Sequence, residues 1–177
     1  MTVTAPRVVL VGPPGAGKTT VGRALAERWA VEFVDSDDLV EAATGQSIAD
    51  LFVDQGEAVF REHERAAVGA ALTTHDGVLA LGGGAVMTPA VAEQLNGHVV
   101  VYLQVSAGDA GSRIGLGVAR PLLLGNVRGQ LRRLMDERRP TYERVAVAAV
   151  DSSGRTVEQV VDEVDRVVDE IRSAEQA

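Results

Sequence analysis

At 177 residues, 46% of them apolar, the chain has the size of one domain with one core. It holds no cysteine, which excludes disulfides and cysteine-ligated metal. It shows neither a membrane-length apolar run nor a signal-like N-terminus, so a cytoplasmic location is expected. A net charge of −8 with 3% aromatic residues argues against a nucleic-acid partner and against a base-stacking platform.

Arg7 to Val11 (RVVLV) is a short β-branched run between Pro6 and Gly12, the pattern of a buried parallel strand. Gly12, Pro13, Pro14, Gly15, Ala16, Gly17, Lys18, Thr19 and Thr20 follow, filling the pattern G-x-x-x-x-G-K-[ST]. Val21 to Ala30 then opens a helical pattern, with Val21, Leu25 and Trp29 four residues apart. Strand, glycine loop and helix stand in the order that a phosphate cradle requires. Backbone N–H groups and the positive end of the helix dipole converge on one anion. Lys18 can reach the outer phosphates and the Thr19 hydroxyl can hold Mg²⁺. Lys18 is also the single lysine of the chain, the other 16 basic residues being arginine. A compact ammonium thus stands where a phosphate cradle needs one.

Val31 to Asp35 is the second strand candidate and ends in Asp35-Ser36-Asp37-Asp38. On an extended tip, Asp35 and Asp37 would share one side, facing the phosphate loop outside the carboxyl ends of the strands. Asp38 is expected near the cap of a short helix from Leu39 to Ala43. Ser47 and Asp50 form a capping pattern for the helix that starts at Ile48, and Gly56 to Leu72 reads as helix. Ile48, Phe52 and Phe60 on these segments suit either the core or a pocket wall. Arg61 by itself reads as a solvated arginine, and no histidine has a partner at catalytic or ligand spacing.

Gly77 to Leu81 is the third strand and runs into Gly82-Gly83-Gly84. Three glycines in a row are entropically costly and imply close approach by a neighbouring segment or a ligand. A helix from Pro89 to Asn96 and a strand from Val99 to Gln104 follow, and Ser106 caps the helix that holds Arg113. Residues 114–127 lose regular pattern around Arg120, as a lid over a phosphotransfer site does. Leu131 to Arg139 reads as a basic helix ending before Pro140. Ala146 to Asp151 is the fifth strand. The last helix, Thr156 to Ser173, has a capping box, an apolar stripe of Val157, Val160, Val164, Val167 and Ile171, and an Asp162–Arg166 pair. Residues 107–145 carry eight arginines against four acids, which suggests a small anionic ligand rather than a long polyanion.

Five strands alternating with helices define an α/β fold with a parallel sheet covered on both faces. Four stretches together resemble the shikimate kinase family of P-loop kinases: GPPGAGKTT, the DSD of 35–37 with the FRE of 60–62, LGGGAV at 81–86, and RPLL at 120–123 with RRPTY at 138–142. The resemblance covers roughly residues 7 to 171. It implies strand order 2-3-1-4-5 and ATP-dependent phosphorylation of the 3-hydroxyl of shikimate. Lys18 and the loop from Gly12 to Thr20 would hold ATP, with Thr19 and Asp35 on the Mg²⁺ side. Asp37 would meet the substrate hydroxyls and orient or deprotonate the attacking one. Arg61 and Arg138 would bind the carboxylate, Arg138 rather than Arg139 because the family places its arginine two residues before the proline. Gly82, Gly83 and Gly84 would meet the ring hydroxyls, with Ile48, Phe52 and Phe60 beside them. Arg120 would close onto the transferring phosphate, and Arg113 and Arg155 would meet the nucleotide. A single-domain monomer is expected. The alternatives are another kinase of this fold, acting on gluconate or nucleoside monophosphates, and a catalytically silent nucleotide-binding module.

Overall fold

A computed structural model describes residues 4–115 and 121–177, with the side chains of 121–126 left aside. Five parallel strands, β1 (Val8–Val11), β2 (Phe33–Asp35), β3 (Val78–Ala80), β4 (Val100–Gln104) and β5 (Ala148–Asp151), lie in the order β2-β3-β1-β4-β5. This is the order that the family resemblance implied. β1 is buried at every residue and pairs with β3 through Val8–Val78 and with β4 through Val9–Val100.

Side-chain alternation along the strands divides the core into two layers. Val8, Leu10, Val78 and Leu103 pack with Leu25 of α1 (Lys18–Trp29) and with Val160 and Val164 of α7 (Val157–Glu175). Val9, Val11, Leu79 and Tyr102 pack on the opposite face, against Val68 of α3 (Ile48–Thr74), Val91 of α4 (Pro89–Gln94) and Tyr142 of α6 (Pro121–Val145). α2 (Ser36–Thr44) and α5 (Ala107–Arg113) complete the set. α3 is kinked at Gly56, whose φ of 84° favours glycine, so the expected break between two helical segments survives as a bend.

The expected caps hold at Ser47, Ser106 and Thr156, the last with both bonds of its capping box. Four other expectations are corrected. α1 begins at Lys18, not Val21, because Gly17 in a left-handed conformation turns the loop directly into the helix. On α7, Asp162 pairs with Arg28 (2.7 Å) and Arg166 with Glu170 (2.6 Å), because α1 brings a guanidinium closer to Asp162 than its own helix does. The stripe of α7 shifts as well: Val157 is 43% exposed, while Val161 and Val168 are buried. Helix α6 starts at Pro121, inside the segment expected to be lid, and the remainder of that segment holds Arg120, outside the described residues.

The largest difference is at Pro140, where α6 does not end but continues to Val145. A proline inside a helix forfeits the bond to the carbonyl four residues back, here Asp136. Both Asp136 and Pro140 are exposed, whereas Tyr142 on the next turn is 1% exposed. Burying that aromatic ring outweighs one missing backbone bond.

Candidate active site

The phosphate loop joins β1 to α1. Gly15 (φ 79°) and Gly17 (φ 92°) take left-handed conformations that a side chain would strain. Lys18 folds back over the loop, Nζ donating to the Gly12 carbonyl at 2.7 Å and the Pro13 carbonyl at 3.0 Å. Burial lowers its pKa to about 8, against the pull of Asp35 and Asp37, with Arg138 adding a further push downward. The loop is held from beneath. Arg113 donates to the Gly15 carbonyl (3.1 Å) and to both Oγ (2.9 Å) and the carbonyl (2.7 Å) of Ser152. The Ser152 hydroxyl lies 3.0 Å from the Ala16 carbonyl and 2.9 Å from that of Gln104.

Asp35 ends β2 and uses both carboxylate oxygens: Oδ2 accepts from the Thr19 hydroxyl (3.2 Å) and Oδ1 from the Asp37 N–H (2.9 Å). Asp35 is therefore the cap of α2, and Asp38, expected near the cap, lies exposed inside the helix. The chain turns helical three residues earlier than expected, at Ser36 instead of Leu39. Asp37 consequently sits on the first turn of α2 rather than on an extended tip, yet still faces the cleft. Its carboxyl is raised above the ordinary value, chiefly by burial and then by the neighbouring Asp35.

The glycine run lies opposite. A Cβ on Gly82 would stand 2.7 Å from Asp37 Oδ1, one on Gly83 3.0 Å from Pro14 of the phosphate loop, and one on Gly84 2.6 Å from Arg61 Nη2. Each glycine thus admits a different neighbour. Gly82 N–H is taken by the buried Ser36 hydroxyl at 2.9 Å. Arg61, which read as solvated, is largely buried and donates to Glu64 Oε2 at 2.7 Å. Glu64 is 1% exposed, and burial raises its pKa while Arg61 lowers it. Arg138 is the arginine whose charge reaches Lys18, Glu64 and Tyr142. Arg139 points elsewhere, paired with Asp136 at 2.8 Å.

A cleft of about 610 Å³ runs over these elements, lined by Pro14 to Thr20, Asp35, Asp37, Gly82, Gly83, Arg113 and Arg155. Arg155 is anchored to the Asp151 carbonyl (2.9 Å) and to Glu163. Gly84, Arg61 and Arg138 lie beyond the cleft lining. Ile48, Phe52 and Phe60 do not line it either: Phe60 packs with Val40 and Leu51 in a separate cluster, with Ile48 against it and Phe52 4.6 Å from the Phe60 ring. Four residues to which the sequence assigned no role complete the arrangement: Ser36, Glu64, Tyr142 and Ser152, all buried. Glu64 alone left a signal, three residues after Arg61 on a helix. Among the described residues no cluster of three His, Cys, Asp or Glu could form a metal cage, and no helix is long and apolar enough to cross a membrane.

A phosphate loop at the heart of a 2-3-1-4-5 parallel sheet, opening on a half-buried Asp37 with Arg113 and Arg155 in the cleft lining, defines the class: a P-loop kinase. Comparison with known proteins carries this further. The family profile of shikimate kinase matches residues 14–169. The chain is 56% identical over 160 residues to a shikimate kinase of Salinispora arenicola, covering 90% of this chain and 96% of that one. Against a shikimate kinase of Mycobacterium avium it is 49% identical over 158 residues, 89% of this chain and 90% of the relative. The solved structure of Acinetobacter baumannii shikimate kinase in complex with shikimate superimposes with a TM-score of 0.83 at 35% identity, over 93% of each chain. The chain belongs to the shikimate kinase family. It is an enzyme, a kinase that takes ATP as co-substrate.

Proposed function

We propose that the enzyme transfers the γ-phosphoryl group of ATP to the 3-hydroxyl of shikimate. The observation that carries this is the place of Asp37, between the phosphate loop on one side and the Arg61–Glu64 pair and Arg138 on the other. A donor phosphate on Lys18 and a carboxylate on the two arginines leave a substrate hydroxyl opposite Asp37. The planar fork of arginine matches a carboxylate. Gluconate also carries one, and the choice of acceptor is what the assay below separates.

Phosphoryl transfer is mainly positioning and charge neutralisation. Asp37, its carboxyl raised by burial, takes the proton of the attacking hydroxyl as that oxygen bonds to phosphorus and the bond to the ADP oxygen breaks. Lys18 stays cationic against the phosphates. Arg120, by the family pattern, adds a second cation. The Thr19 hydroxyl and the Asp35 carboxylate, 3.2 Å apart, are the hard oxygen pair that suits Mg²⁺, which takes few protein ligands and fills its shell with phosphate and water. Bound there, Mg²⁺ would neutralise phosphate charge. With donor and acceptor regions on one chain, the enzyme works as a single-domain monomer in the cytoplasm.

The test is ADP release, coupled to a reporter reaction, with shikimate, gluconate and nucleoside monophosphates in parallel. ATP turnover only with shikimate, and NMR placement of the phosphate on its 3-oxygen, are expected. Turnover with another acceptor and none with shikimate would refute the proposal. Nucleotide binding with no turnover on any acceptor would instead mark a silent module.

A further inference from the structure

Helix α6 reaches the acceptor side of the cleft through a buried tyrosine. Tyr142 is 1% exposed and its ring stacks on Tyr102 of β4, centroids 5.1 Å apart. Its hydroxyl donates to the Gly83 carbonyl. A core that needed only an aromatic ring would be served by phenylalanine. The phenol is justified by its acceptor, a backbone oxygen within the run that sets Gly82 against Asp37 and Gly84 against Arg61. Gly83 also leans on Pro14, so the same bond backs onto the phosphate loop.

The other end of the linkage is Arg138. Leu131, Met135, Arg138 and Tyr142 recur at helical spacing along one side of α6, so Arg138 stands one turn before Tyr142 on the same face. Passage of the helix through Pro140 is what keeps the two in register. We propose that Tyr142 is a positioning residue for the acceptor: its bond to the Gly83 carbonyl fixes both the roll of α6 that presents Arg138 and the seat of the glycine run. Acceptor affinity then depends on a hydroxyl that touches no acceptor. The kinetic side of this rests on the shikimate reading, and the structural side on geometry alone.

Tyr142→Phe keeps the ring and its stacking and deletes only the hydroxyl. The KM for shikimate should rise about five- to tenfold, with kcat and the KM for ATP within about twofold. Hydrogen exchange of the 80–88 segment in the ligand-free protein should quicken. Tyr102→Phe, which removes the hydroxyl of the stacked partner, should leave all of these unchanged. An unchanged shikimate KM with unchanged exchange overturns the proposal, as does a loss spread evenly over kcat and both KM values, the mark of a generally weakened fold. If the unaltered enzyme does not phosphorylate shikimate, the proposed function fails by itself. The exchange comparison then decides alone, and equal exchange in both proteins overturns the linkage.

Discussion

Raising the pH from 7 to 9 should weaken nucleotide binding by about tenfold, and Lys18 is the reason. Its pKa in the ligand-free protein is about 8, lowered from 10.5 chiefly by burial. A bound phosphate restores the ordinary affinity for the proton, so binding draws a proton in wherever the free lysine has lost it. The expected uptake is about 0.1 proton per nucleotide at pH 7, about 0.5 at pH 8 and about 0.9 at pH 9. Calorimetry of ADP binding in buffers of different ionisation heat reads this number directly. Lys18→Arg is the control, since guanidinium does not titrate in this range and the pH-dependent part should vanish. The sign also fixes the stability of the free protein. Between about pH 8 and pH 10.5 the unfolded chain binds more protons at this site, so the contribution of Lys18 to stability improves as pH rises through that window. At neutral pH its burial costs about 3 kcal/mol. Proton uptake that is flat from pH 7 to 9 would refute the reasoning.

Lys18→Ala should abolish turnover while circular dichroism shows the fold retained; near-normal rates would remove the phosphate-loop premise. Asp37→Asn should cut kcat about 10²-fold or more and raise Tm at pH 7, because a carboxyl whose burial opposes ionisation gives way to a neutral group. A change confined to KM would demote it to binding, and an unchanged or lower Tm would contradict the burial argument. Arg138→Ala should raise the KM for shikimate about tenfold or more and Arg139→Ala less than about twofold, measured by initial rates; the reverse order would put the register off by one. Gly84→Ala should depress shikimate binding through the 2.6 Å approach of its methyl to Arg61, read by titration calorimetry; wild-type affinity would mean that Arg61 is free to move aside.

What was legible in the chain was local or periodic. The phosphate loop announces itself because glycines, lysine and threonine must stand at fixed offsets. The strands announce themselves because a parallel sheet buries both faces of runs such as VVLV. Ser47, Ser106 and Thr156 were readable as caps because the bonds that make them caps span three residues. Asp35 was misjudged for a reason of the same kind: three aspartates within four residues compete to cap one helix, and the choice rests on where the sheet ends. Arg138 and Arg139 are alike in one dimension and part company only when α6 is laid on the sheet. The roles of Ser36, Tyr142 and Ser152 could not be read because their partners lie 46, 59 and 136 residues away. The helix through Pro140 had the same cause, a local rule overridden by a distant aromatic contact.

A chain with sixteen arginines and one lysine also has a distinctive surface chemistry. Apart from the α-amino group, an acylating reagent finds a single side-chain amine, and it belongs to the lining of the nucleotide cleft. With a pKa of about 8, that amine is about a quarter free base at pH 7.5, a far larger unprotonated fraction than a surface lysine offers. One equivalent of label, blocked by ADP and located by peptide mass, would therefore both count intact clefts and put a spectroscopic reporter beside the phosphates.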